Sequence, residues 1–264
     1  DEPRREWVDA PGVGGPVGES LGALMAEAPE LFSTELGEGD VRRVDEDTQR
    51  ALPARFREVS RALGLRDRPL FVRDDGATTI DVLPGDPPSV VVGEGLTKGM
   101  FRREQRFILA RALSLTRGPC QMICALHTED GEALVDALRG GDSQRATEWR
   151  GLLEELLDPS RLEAVSAPVR EAPDASFAGW KEAVERSAVR AAFVLSGDLG
   201  TSLQAMRRES PDFRRPLRNP EALAELARRA PLVADLLAYA LSDRHASLLK
   251  WMRQEAGHLD AQEA

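Results

Sequence analysis

Three side chains able to ligate a metal or attack an electrophile stand close together in the stretch CQMICALH: Cys120, Cys124 and His127. On a helix, spacings of four and three put them on one side. A thiolate–imidazole metal site, or a cysteine nucleophile with a histidine base, can be drawn from them. The same segment carries Met122, Ile123 and Leu126, and a free cysteine usually behaves as a small buried hydrophobe. Core packing is therefore the stronger reading, with a cysteine-based hydrolase using Cys120 or Cys124 and His127 as the alternative. Ser114 and Ser202 have no base and orienting group in a recognisable pattern. GEGLTKG lacks the residue order of a phosphate-cradling loop. MRRESPDFRRPLR gathers five arginines, Arg207, Arg208, Arg214 and Arg215 among them, around one aromatic. In so acidic a chain, a solvated loop or a docking patch for an acidic protein partner outranks a nucleic-acid site.

The 264 residues are 42% hydrophobic and 30% charged, with a net charge of −10, the balance of an ordinary globular protein. That charge argues against a phosphate-binding surface. Lys98, Lys181 and Lys250 are the only lysines, and with the abundant alanine this reads as high-GC coding bias. No apolar run approaches the ~18 residues of a membrane span, and no basic leader with an apolar core opens the chain. Cys120 and Cys124 are poorly spaced for a disulfide, so reduced thiols and a cytoplasmic location are expected. Asp1 in place of an initiating methionine suggests a piece of a longer protein.

These residues must be positioned by the elements around them. Residues 1–20 carry glycine and proline at a density that suggests a linker or extended arm, followed by a short helix in LGALMAEAPELF. Leu52, Phe56, Val59 and Leu63 mark an amphipathic helix closed at Gly64. PLFVRD, TTIDVL and PSVVVG read as three short strands separated by Asp75-Gly76 and Gly85-Asp86-Pro87-Pro88. A helix then runs from Arg102 to Thr116, with Phe107, Ile108, Leu109, Leu113 and Leu115 apolar and Pro119 just beyond. Further helices are expected over 119–127, 130–138, 143–157, 176–195, 199–207, 220–228 and 231–254. DPSRLEAVSAPVREAPDAS, with three prolines, suggests a surface loop. The expected fold is α+β and mainly helical, with a small three-stranded sheet near 70–93. Its divisions are an N-terminal arm over 1–46, a central domain over 47–208, and C-terminal helices over 209–264 packed on that domain.

RFREVSRALGLRDRPLFVRDD and PPSVVVGEGLTKGMFRREQRFILARALSLTRG resemble the zinc metallopeptidases that include the CAAX prenyl proteases and the heat-shock membrane protease. In that family a helix, a Leu-Gly turn and a strand precede a helix carrying His-Glu-x-x-His. WKEAVERSAVRAAFVLSGDL is similar to the later helix bearing the third ligand in a Glu-x-x-x-Asp pattern. The resemblance lies between residues 52 and 200, and its motifs are incomplete. Arg111 stands at the first histidine, Ala112 at the general-base glutamate and Leu115 at the second histidine; Glu185 matches the third ligand, and Val189 replaces the supporting aspartate. A catalytic zinc needs about three protein ligands and a water position, and that water needs a proton acceptor. The resemblance thus implies a catalytically inactive module, without zinc or another cofactor, that binds a protein partner within a larger bacterial protein. If the family's geometry holds, Arg111 and Glu185 can pair in the former metal space, because a buried carboxylate needs a cationic partner; the alternative is that Arg111 reaches out to solvent and Glu185 lies on a wet face.

Overall fold

A computed structural model of the chain describes residues 7–33, 41–44, 51–65, 68–74, 79–97, 100–209 and 219–262. Helix α1 spans Pro16–Glu27, earlier than expected, because Pro16 occupies a first-turn position where its missing N–H is harmless. Val17, Leu21 and Leu24 of α1 are buried. Much of the stretch suggested as an arm is thus built into the core. The preceding strand of chain is fastened too: the Ala10 amide donates to Ser187 Oγ at 2.7 Å, and Trp180 Nε1 donates to the Val13 carbonyl at 3.1 Å.

Strand β1 (Val41–Arg43) comes next, then helix α2 (Ala51–Ala62) with Leu52, Phe56 and Val59 on its buried face. Strands β2 (Leu70–Arg73), β3 (Ile80–Leu83) and β4 (Ser89–Gly93) complete a sheet of order β1-β2-β4-β3. The sheet therefore has four strands among the described residues, not three. β1 pairs antiparallel with β2, Val41 opposite Arg73. Three residues, two of them arginine, show no alternation to read, and only the long-range pairing makes them a strand. β2 and β4 run parallel, and β3, like β1, is an outer strand paired antiparallel to its neighbour.

A single helical turn, α3 (Glu94–Thr97), leads to α4 (Arg102–Leu115). The Phe101 amide at the start of α4 donates to Glu104 Oε2 at 2.9 Å, satisfying one of the donors that a helix start leaves open. The segment 119–127 is a 3-10 turn over Gly118–Gln121 followed by a four-residue helix, α5 (Met122–Ala125). Helix α6 (Thr128–Arg139) ends at Gly140, whose φ of 90° is the left-handed conformation that glycine adopts without strain. Helix α7 (Gln144–Leu156) is capped by Ser143, which accepts from the Ala146 amide.

The expected loop after it is instead helix α8 (Pro159–Glu171), with Val165 and Val169 buried. Asp158 caps the Ser160 and Arg161 amides, and Pro159 opens the first turn. Pro168 removes an intrahelical hydrogen bond, an interior cost offset by the two buried valines. Arg139 donates to the Val169 and Ala172 carbonyls at 3.1 Å each and holds this end against α6.

Helix α9 (Phe177–Ser196) starts at the Ser176 cap and stops at Gly197 (φ 68°). Helices α10 (Leu199–Glu209), α11 (Pro220–Arg229), α12 (Pro231–Ala240) and α13 (Asp243–Gln262) follow. The long helix expected over 231–254 is broken at Leu241–Ser242. Ser242 Oγ accepts from the His245 amide at 3.2 Å and starts α13 afresh.

The buried apolar residues form two clusters. One joins the sheet, α2, α4 and α12 through Phe56, Val90, Val92, Leu113 and Leu236. The other joins α1, α6, α7 and α8 through Leu21, Leu134, Leu153 and Val169. α9 belongs to both: Phe177, Trp180 and Val184 lie in the second, Val189, Ala192 and Phe193 in the first. No helix among the described residues is long and apolar enough to cross a membrane.

Candidate functional site

α4 and α9 pack side by side, and between them lie the positions that the resemblance singles out. A spacing of four puts Arg111 and Leu115 on one face of α4. Ala112 is buried, and Leu115 is partly buried between the two apolar clusters. On α9, Glu185 is half-buried and Val189 fully buried. Ala112, Val189 and Ala192 share one cluster, so this part of the interface is held by small apolar contacts.

Arg111 carries the clearest electrostatic signature there. Burial lowers its pKa, and the opposing charge of Glu185 acts to raise it. The two charges thus face one electrostatic space. Arg111 is engaged there, and Glu185 is among the charges that act on it.

Cys124 of α5 shares this neighbourhood. Its thiol is pushed up to about 11, first by desolvation; Lys181 and Arg111 act to lower it, and Glu185 and Asp81 to raise it. Four elements therefore meet here: α4 with Arg111, α5 with Cys124, α9 with Lys181 and Glu185, and β3 with Asp81. Asp81 also pairs with Arg73 Nη1 at 3.1 Å. Lys181 and Asp81 escaped the sequence reading. Lys181 sits one turn before Glu185, a spacing that could have drawn notice; nothing local marks Asp81.

The thiol–imidazole alternative finds less support in the geometry. The Cys120 thiol is likewise pushed up to about 11, mainly by burial. His127 stands at the start of α6 and lines a shallow hollow of about 430 Å³ with Glu129, Asp130 and Arg145. Neither thiol is hydrogen-bonded to His127 among the described residues, and a reactive cysteine needs a depressed pKa. Among the described residues, no group of three or more His, Cys, Asp or Glu side chains is gathered as a metal would require.

The arginine patch divides. Arg207 borders an open hollow of about 520 Å³ between α10 and α11, beside Leu203, Pro220 and Leu223. Arg208 Nε lies 3.3 Å from Oε1 of the fully buried Glu104, so it ties α10 to the start of α4. Arg214 and Arg215 lie outside the described residues.

Comparison with known proteins finds no family model, no curated protein and no solved structure that matches this chain.

Proposed function

We propose that this chain is a metallopeptidase-like module without zinc chemistry, and that it binds a protein partner as part of a larger bacterial protein in the cytoplasm. One observation carries the reading. At the α4–α9 crossing, the three α4 positions where the resemblance calls for metal ligands and a general base hold a guanidinium, a methyl group and an isobutyl group. Across from them stands one matching ligand, Glu185, within electrostatic reach of Arg111. The element order supports it: a helix, a small sheet, the α4 helix and a later helix packed on it occur in the sequence the resemblance implies. β3 is the outer strand beside this crossing, and an outer strand is a surface on which an extended peptide segment can add.

The test restores ligands in place of the aliphatic and cationic side chains. Arg111→His with Leu115→His puts two imidazoles one turn apart on α4, facing Glu185. The double variant is expected to bind one zinc ion by calorimetry, and Glu185→Gln is expected to weaken that binding tenfold or more. The parent chain is expected to take up no stoichiometric zinc. Zinc binding by the double variant that is indifferent to Glu185, or stoichiometric zinc in the parent protein, would sink the reading. For the partner, extended-peptide libraries can be selected on the domain; binding that Arg111→Glu leaves intact would place the binding surface elsewhere.

A further inference from the structure

We draw no further inference here: the strongest candidate, the exposed stripe of Leu152 and Leu156 on the outer face of α7, carries nothing because nothing in the structure shows what covers it.

Discussion

Arg190 of α9 grips Asp235 of α12 with two hydrogen bonds, Nε to Oδ2 at 2.9 Å and Nη2 to Oδ1 at 2.7 Å. Both side chains are nearly buried. The same guanidinium lies 5.1 Å from the centre of the Tyr239 ring and donates to the Asp9 carbonyl at 3.5 Å. One side chain thus joins the N-terminal strand of chain, the central helix and the C-terminal helices. A two-point pair of this kind suits arginine and would not survive replacement by lysine. Asp235→Ala leaves a buried cation without its partner and is expected to cost about 3–5 kcal/mol. Urea denaturation measures it. The double variant Arg190→Met with Asp235→Leu should recover much of the loss, because it leaves no charge stranded. A loss below ~1 kcal/mol in the single variant, the range of exposed pairs, would show that solvent already reaches the pair.

Arg208 tests whether the arginine patch is structural at its near end. Its partner Glu104 is 1% exposed and also accepts the Phe101 amide. Arg208→Ala is expected to destabilise by about 1–3 kcal/mol, because it removes the cation 3.3 Å from a buried carboxylate oxygen that has no hydrogen bond of its own. Arg145→Ala, which removes an exposed pair with Glu129, should cost under ~1 kcal/mol. Equal effects in thermal denaturation would show that the contact of Arg208 with Glu104 contributes no more than a surface pair.

Two glycines in helices should respond in opposite directions to the same change. A methyl group at Gly18 would stand 2.3 Å from the Val13 carbonyl oxygen and 2.8 Å from Trp180 Nε1. Gly18→Ala must push α1 from the chain that straps it and is expected to cost about 1–3 kcal/mol. Gly151 in the middle of α7 has nothing within 4 Å of such a methyl. There alanine should stabilise by about 0.5–1 kcal/mol through helix propensity alone. Chemical denaturation of both variants reads the difference.

The thiols offer a pH test. Cys120 is half-buried and Cys124 exposed, yet desolvation by surrounding protein is the first cause that raises both thiols to about 11 from an ordinary 9. Two units leave the thiolate fraction at pH 8 about a hundredfold below that of an unperturbed thiol, so iodoacetamide should react about that much more slowly than with a free cysteine. The rate should keep climbing to pH 11. Because the folded values are raised, folding favours the protonated thiols. Their contribution to stability is complete below pH 9 and is lost as pH rises toward 11. Fast alkylation at pH 7 would instead mark an activated cysteine and revive the nucleophile alternative.

Much of the architecture is legible in local order along the chain. Leu52, Phe56 and Val59 announce α2, and the apolar run from Phe107 to Leu113 announces α4, because a helix with one buried face must repeat its apolar residues every three or four positions. Gly140 and Gly197, each at a left-handed φ after a helix, follow from local chemistry in the same way. Where expectation and fold part, one local signal outweighs another. The three prolines after Asp158 suggest a loop, although Asp158-Pro159 is also a helix start, and the buried valines decide the matter. Ser242 is a cap hidden inside an apolar run.

The residue types at 111, 112, 115, 185 and 189 are fixed by the chain itself, and so is their poverty in metal ligands. What they face is not. That Glu185 acts on Arg111, that Cys124, Lys181 and Asp81 share their field, and that Arg208 comes within 3.3 Å of the buried Glu104 depend on how far apart packed helices and a sheet edge come to rest. Those separations are set by the buried side chains of elements distant in sequence. A charge feels its neighbours in space, whereas periodicity and capping record only its neighbours along the chain.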